Sequence, residues 1–494
     1  MNRPVRRVAV LGGGISGLSA AHRLVSTPGM EVVVIEASNR LGGKIKTSDF
    51  DGRQVDEAAD AFLTRGGQVE GLCRELGLDS QLVTPATNRA WLWKGDRLHS
   101  FPLGLALGVP LRPLSLLGSP LVSPRGALRA AADLVMPRTT GSADVSVARL
   151  VRRRLGVEVS STLVEPLIGG INAGRAECLG VSATVPRFAT ASERSSSLIR
   201  GLRSEIATPS TGGRAAEGPP PPFLGLRRGM EQMVHALEST LREHGTDIRL
   251  GWRVAAAARA GGGWILSRQA GDRTLEGGLR DGIQVIGHHP TDTILADGIV
   301  VALPAWEAAK VLGGVSPLGS SLLGAIPYAS VAMLTMSYDS SMSYDSSSSG
   351  QPAPVGSGFL VPAGEHRSVT ACSWTSSKWP HLGRPGELLV RASVGRWRDG
   401  AALMLSDDAL VKAVHRELQV VMGLAEPPTA SRVTRWDRAF PQFGVDHGDL
   451  VARITRAIGA TGPVELAGAA YGGVGIPSCV QSGFGAADRL LARL

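Results

Sequence analysis

The sequence predicts an α/β fold in which a discontinuous Rossmann-like domain is joined to a mixed-sheet domain and a helical subdomain. Three observations carry that expectation. The chain opens with a buried apolar run, a glycine-rich turn and a helical stretch that read together as a βαβ unit. Buried strands recur mid-chain and near the end, so one sheet must gather strands from three distant segments. Between them lies a long helical stretch, and 494 residues are too many for one ordinary core. The expected division is 1–85, 225–305 and 430–494 for the Rossmann-like domain, and 86–110 with 306–429 for the mixed-sheet domain. Residues 111–224 form the helical subdomain.

Taken in order, residues 5–11 (VRRVAVL) form the first strand, Ser16 to about Ser26 a helix, and 31–36 (EVVVIE) the second strand. Helical patterns follow at Gln68–Leu76 and Pro124–Met136, the latter with Ser123 as cap and Pro124 at the first helical position. Helix continues to about Leu163. Residues 203–222 are Pro/Gly-rich and read as a mobile surface loop. A loop and amphipathic helix span 225–245, a strand 248–254, and an enlarged hairpin or loop 268–291. The run ILADGIVVALP (294–304) is a buried strand ending in proline. The serine-rich 337–350 duplicates SYDS and reads as a loop without chemistry. A strand at 464–477 running into glycines, then a helix, closes the chain.

Composition narrows the function classes. With 43% hydrophobic and 19% charged residues the chain is globular rather than disordered. The formal charge of +9 comes from scattered arginines without an aromatic-interleaved basic stripe, which argues against nucleic acid. A membrane surface or an anionic small substrate suits dispersed arginines better, and a merely solubilising charge accounts for them equally. Four widely spaced cysteines (Cys73, Cys178, Cys372, Cys479) argue against a disulfide framework and a zinc site, and lead us to expect a cytoplasmic protein. The N-terminus shows no export signal. The most apolar stretch, Phe101–Val122, is broken by four prolines and an arginine; it suits a buried entrance or a membrane surface, not a span.

The chemistry starts at the loop Gly12-Gly13-Gly14-Ile15-Ser16-Gly17. Its G-x-G-x-x-G spacing between strand and helix permits a tight turn, backbone approach to a pyrophosphate, and close helix packing. Glu36, at the end of the second strand, is placed to accept from ribose hydroxyls. The alternative for both features is a plain glycine turn and a surface glutamate. The following run, Glu36 to Lys44 with Arg40 and Gly43, resembles the second fingerprint of the FAD-binding amine oxidase superfamily, which implies FAD rather than NAD. In that superfamily an adenine contact stands where Val254 does.

Nearly the whole chain resembles the oxygen-dependent protoporphyrinogen/coproporphyrinogen oxidases of haem synthesis. LVEPLIGGINAG (163–174), SGFLVP (357–362), ACSWTSSKWPH (371–381), RASVGR (391–396), VTRWDRAFPQFGVDH (433–447) and AGAAYGGVGIPSCV (467–480) are similar to that family's segments in order and spacing. The resemblance implies flavin contacts at Gly12, Gly13, Gly14, Ile15, Ser16, Gly17, Glu36, Ala37, Arg40, Gly43, Lys44, Ala58, Ala59, Asp60, Ala61, Val254, Trp436, Val474, Gly475 and Ile476. It implies a substrate propionate at Arg89 and a slot lined by Pro102–Pro110 and by Ile168, Gly169, Gly170, Ile171, Asn172, Ala173 and Gly174. The family carries glycine where Ala58 stands and tyrosine where Asn172 stands; asparagine can hydrogen-bond in the pocket but cannot stack. No side chain is assigned a catalytic role and no metal site is expected, because the flavin itself takes the hydride.

What the resemblance implies is a six-electron oxidation of a porphyrinogen with dioxygen as acceptor and hydrogen peroxide as product. GGKI, SSKWPH and GIPSC are closer to the Gram-positive members, which act on coproporphyrinogen III; protoporphyrinogen IX oxidation and a flavin- or porphyrin-binding scaffold without turnover are the alternatives. Expected partners are the porphyrinogen, dioxygen, a transient haem-pathway enzyme and a peripheral membrane contact.

Overall fold

A computed structural model describes residues 5–138, 144–207, 221–269, 293–339 and 355–494. Its first sheet is five-stranded and fully parallel, in the order Asp247–Arg249, Met30–Ile35, Arg6–Leu11, Gly298–Val301, Val464–Leu466. Strands so distant in sequence can be neighbours because helices cover both faces and make every strand a buried apolar run. The helices Ile15–Val25, Glu231–Glu243 and Ile476–Leu491 share one core with this sheet, through Leu18, Leu237 and Val480. On the opposite face Ala9, Leu11 and Val301 meet the helix Ala305–Leu312 and a three-stranded antiparallel sheet.

Two strands expected as single runs are each divided. Residues 248–254 split into Asp247–Arg249 in the parallel sheet and Val254–Ala260 in the antiparallel one. Gly251 has φ +62, and the Trp252 N–H donates to Glu36 O at 2.9 Å, so the chain turns between them. Likewise 294–304 divides at Asp297, whose carboxylate accepts from the Arg7 N–H at 2.7 Å and ends one strand before the next begins at Gly298.

The second sheet is seven-stranded and mixed: Ala430–Pro441, Tyr328–Asp339, Glu387–Val394, Val369–Trp374, Gly358–Leu360, Ala90–Lys94, Arg97–Ser100. Its one parallel pairing joins Gly358–Leu360 to Ala90–Lys94. Ala430–Pro441, assigned from sequence to the Rossmann-like domain, is an edge strand here. Conversely, Ala305–Leu312 and Pro317–Gly324, assigned to the mixed-sheet domain, bury Leu312 and Leu323 against the parallel sheet. Apolar patterning marks a strand as buried but does not say in which sheet.

The helical part runs from Pro124–Ala131, which Ser123 Oγ caps by accepting from the Gly126 N–H at 3.0 Å, to Leu198–Ala207. Its core holds an ion pair between Asp133 (0% exposed) and Arg154 (3%). Asp133 also accepts from Ser197 Oγ at 2.6 Å and the Ile199 N–H at 2.9 Å, which offsets the cost of burying the charge. Residues 203–207 of the expected loop belong to the last helix, and 208–220 lie outside the described residues. Residues 337–339 complete the Tyr328–Asp339 strand; 340–350 of the serine-rich run, and 270–291 of the expected insert, also lie outside them. Among the described residues no helix is long and apolar enough to cross a membrane.

Candidate active site

The glycine loop is built by contacts that only glycine allows. Gly12 has φ +104, and a Cβ there would stand 2.7 Å from Ala302 O; a Cβ on Gly17 would stand 1.9 Å from Gly12 O. At Gly14 the space is open, with no protein atom within 4 Å of a Cβ. The helix Ile15–Val25 starts there without a capping side chain, so its first N–H groups and positive end face that space. Glu36 accepts from the Gly13 N–H at 2.7 Å and the Ser38 N–H at 2.8 Å, which makes the expected ribose acceptor a brace of the loop as well. Its remaining lone pairs can still take a hydroxyl.

The run after Glu36 folds back onto the loop, where the Gly42 N–H donates to Gly13 O at 2.8 Å and Gly14 bridges Gly42. Arg40 spends its guanidinium on Leu41 O (2.9 Å), Ile45 O (3.1 Å) and Gly43 O (2.5 Å), with Glu231 at 3.5 Å. It shapes the turn from behind. Lys44 is accessible at its surface yet deep among protein atoms; loss of bulk water pushes its pKa down, and the nearby Cys479 only partly opposes this.

Cys479 lies in the first turn of the helix Ile476–Leu491, and its thiol, pushed up by burial, donates to Gly473 O at 3.8 Å. That helix also starts without a capping side chain, at Gly475, beside half-buried Val474. The two helices cross so closely that a Cβ on Gly483 would stand 2.2 Å from Ser16 O. Just ahead of Val254, the Gly251 N–H donates to Ser38 O at 2.9 Å.

A second group is held by residues invisible as motifs. Glu57 accepts from Lys46 (2.9 Å), Ser48 (2.6 Å) and Thr434 (3.0 Å). Burial raises its carboxyl, but those donors outweigh it and hold the pKa below the usual range. The Trp436 indole N–H donates to Glu57 O at 3.2 Å while its ring packs with Ala173, Val331 and Phe440. Ala58 O accepts from Arg391. Asp60 accepts from Lys378 (2.9 Å) and the Trp379 N–H (3.0 Å), with Arg391 at 3.5 Å. Burial alone would raise Asp60, yet Lys378 and Arg391 hold it at about 2. Asp60 thus ties its turn to Lys378, Trp379 and the Arg391 strand of the second sheet. Ala37 and Ala59 are exposed, and Ala58 and Ala61 half-buried. Neighbouring Asp56 is the opposite case: burial pushes it up to about 6 despite donors from Thr47 and Met230.

The run 168–174 ends the helix Glu165–Asn172, with Ala173 left-handed at φ 46. It buries Ile168, Gly169, Asn172, Ala173 and Gly174 and presents Gly170 and Ile171. Asn172 does not offer its amide N–H to a pocket as expected: it donates to Ile168 O at 2.8 Å, and Gln442 seals the Asn172 carbonyl at 2.9 Å. Arg89 is exposed, stacks on Trp91 at 5.2 Å, and has no carboxylate partner among the described residues. It sits beside the Ala90–Lys94 strand, five strand spacings, about 24 Å, from the strand that carries Trp436. The fold brings Gly13, Glu36 and Gly42 into one group and Glu57 and Trp436 into another, and leaves Arg89 at the far side of the second sheet. Among the described residues no group of histidine, cysteine, aspartate and glutamate could hold a metal.

Residues 15–491 match the flavin-containing amine oxidoreductase family. The chain belongs to that family. It is 30% identical over 496 residues to the coproporphyrinogen III oxidase of Bacillus subtilis (strain 168), covering 99% of this chain and 98% of that one. The coproporphyrinogen III oxidase of Mycobacterium bovis is 31% identical over 489 residues, covering 98% and 96%. A solved structure from Exiguobacterium sp. 255-15, provisionally assigned as a protoporphyrinogen oxidase, superposes with a TM-score of 0.83 at 26% identity over 100% of both chains.

FAD is the cofactor of this flavin-containing oxidoreductase, and the residues present fit it. Two helices start here without a capping side chain, and an anion at either start would meet N–H donors. The open space at Gly14 leaves room for a diphosphate to approach the backbone.

Proposed function

We propose that this flavoprotein oxidises coproporphyrinogen III to coproporphyrin III with dioxygen as acceptor. The observation that carries the reading is identity near 30% sustained over nearly the whole chain, mixed sheet included, to proteins bearing that name. The formal charge of +9 suits a substrate with four carboxylates. Bound FAD supplies a two-electron acceptor that dioxygen regenerates with release of hydrogen peroxide, so six electrons require three rounds.

The chain's own residues bind and orient. Gly12–Gly17, Glu36, Ala37, Lys44, Val254 and Val474–Ile476 hold the dinucleotide, with Arg40 and Gly43 shaping the turn over its phosphates. Ala58–Ala61 and Trp436 line the ring end. Gly170 and Ile171 form a wall of the slot, from which Arg89 stands apart across the sheet. Exposed Leu103, Leu114 and Leu117 would face a membrane surface in a peripheral contact, and the four free cysteines suit a cytoplasmic setting from which a haem-pathway enzyme takes the product.

Protoporphyrinogen IX is the second reading, favoured by the Exiguobacterium neighbour. The two separate by rate: the purified holoprotein should form fluorescent coproporphyrin III with the higher kcat/KM. Equal or better use of protoporphyrinogen IX would reverse the assignment.

A further inference from the structure

Two exposed arginines of the mixed sheet, Arg398 (φ 62) and Arg438 (φ 45), hold the left-handed backbone that glycine usually takes. Each does so where its strand is interrupted. Past the end of Glu387–Val394, Arg396 and Asp399 exchange N–H···O bonds of 3.2 and 2.9 Å, closing a two-residue turn with Arg398 second. In the edge strand Ala430–Pro441, residues Asp437, Arg438 and Ala439 stand opposite Ser330 alone. They form a bulge between the pairs Trp436–Val331 and Phe440–Ala329. A left-handed backbone costs energy in a residue that carries a side chain, and such positions cluster at ligand clamps.

The turn and the bulge are parts of one edge. Ser330 Oγ accepts from the Arg438 N–H at 2.9 Å. Gly395, just ahead of the turn, lies so close that a Cβ there would stand 3.0 Å from Ser330 O. The turn is also docked on the 168–174 run, because the Trp397 N–H donates to Ala173 O at 2.7 Å. Trp397 and Trp436 pack on the same cluster of Ala173, Ala329 and Val331. The strands leading to the two arginines flank Tyr328–Asp339, so they run about 10 Å apart.

Both guanidinium groups are presented rather than spent. Arg398 lies over the Trp397 ring at 5.8 Å and Arg438 over the Trp306 ring at 4.7 Å. Neither side chain has a hydrogen bond or ion pair among the described residues. Asp399, the carboxylate next to Arg398, faces Arg175 at 3.7 Å and Arg396 at 4.0 Å instead. An arginine resting on an aromatic face keeps its N–H edge open to a planar carboxylate and loses little freedom when one binds. Two such groups on strands about 10 Å apart suit a ring with carboxylates spaced around its edge, a distance that no single small anion spans.

We propose that Arg398 and Arg438 form a two-point rim that binds two propionate carboxylates of the porphyrinogen at the Trp436 end of the slot. The assignment rests on the porphyrinogen reading above. It puts the propionate contact expected at Arg89 on the opposite side of the sheet.

The test uses the full holoprotein. Tryptophan quenching should show coproporphyrin III bound about fivefold or more tighter than its tetramethyl ester. Arg398→Gln and Arg438→Gln should each reduce that preference and the double variant abolish it, while the lysine variants keep part of it. Arg398→Gly and Arg438→Gly separate binding from folding. Glycine suits both backbones, so each should melt no lower than wild type yet lose as much preference as its glutamine counterpart. Arg89→Gln, which removes the same charge at the far side of the sheet, should keep the wild-type preference. In turnover the double glutamine variant should raise KM for coproporphyrinogen III by about fivefold or more with an unchanged flavin spectrum. Acid and ester bound equally by wild type, a double variant that keeps the preference, or a preference lost in Arg89→Gln instead would overturn the rim. A wild type that binds neither acid nor ester and oxidises neither porphyrinogen sinks the porphyrinogen reading itself.

Discussion

Gly17→Ala should purify without flavin and unfold at markedly lower temperature. The added Cβ would stand 1.9 Å from Gly12 O, and Gly12 cannot retreat because its own Cα hydrogen face already meets Ala302 O. Both obstacles are backbone, so no rotamer change relieves them. The helix Ile15–Val25 must lift off its strand, at a cost of about 3 kcal/mol or more, and carry its N–H donors away from the phosphates. Gly14→Ala is the internal control. Nothing in the protein stands within 4 Å of that Cβ, so the variant should fold like wild type yet hold FAD more weakly, because the methyl takes space the diphosphate needs. Flavin absorbance on purification and thermal unfolding of both variants check this. Normal flavin content in Gly17→Ala, or normal FAD affinity in Gly14→Ala, would speak against the loop as the phosphate site.

Asp60→Ala should cost about 3 kcal/mol, because it strands a buried cation, Arg391, and a partly buried one, Lys378. Lys378 loses both carboxylate oxygens, the Trp379 indole its acceptor, and Arg391, 3% exposed, keeps only Ala58 O and the elevated carboxyl of Asp56. The effect has a pH signature. Asp60 is held at about 2, below its ordinary 3.8. A carboxyl lowered on folding contributes its stability above the unfolded value and loses it as pH falls through the folded one. The gap between wild type and Asp60→Ala should therefore be full at neutral pH and close between about pH 4 and pH 2. Denaturant unfolding across that range measures it, and a gap independent of pH would show that Asp60 acts by packing alone. The flavin spectrum should shift in the same variant, since the Ala58–Ala61 turn loses its tie to the second sheet.

Much of the nucleotide cleft was legible because its signals are local. Gly12, Gly14, Gly17 and Glu36 lie within one βαβ unit, and each glycine answers to a close approach or open space in the structure. The helix start at Ser123 could be read for the same reason. What stayed hidden depends on contacts between residues far apart in the chain. Lys378 and Arg391 reach Asp60 across more than three hundred residues, and no spacing rule links them. A separation in sequence likewise conceals Arg396 opposite Glu165. The polar ends of Arg40 and Asn172 turn to backbone carbonyls, a choice made by local geometry that residue type does not reveal. The split strands at Arg249–Val254 and Ala296–Gly298 were missed because an apolar run looks alike whether it serves one sheet or two.

The central claim is that the cleft beginning at Gly12 holds FAD and passes electrons from a porphyrinogen to dioxygen. Its most direct measurement follows oxygen uptake, peroxide release and porphyrin fluorescence together while purified holoprotein acts on coproporphyrinogen III. The expected result is three dioxygen consumed and three peroxide released for each coproporphyrin III formed. Porphyrin appearing no faster than its spontaneous oxidation, with no enzyme-dependent uptake of oxygen, would contradict it.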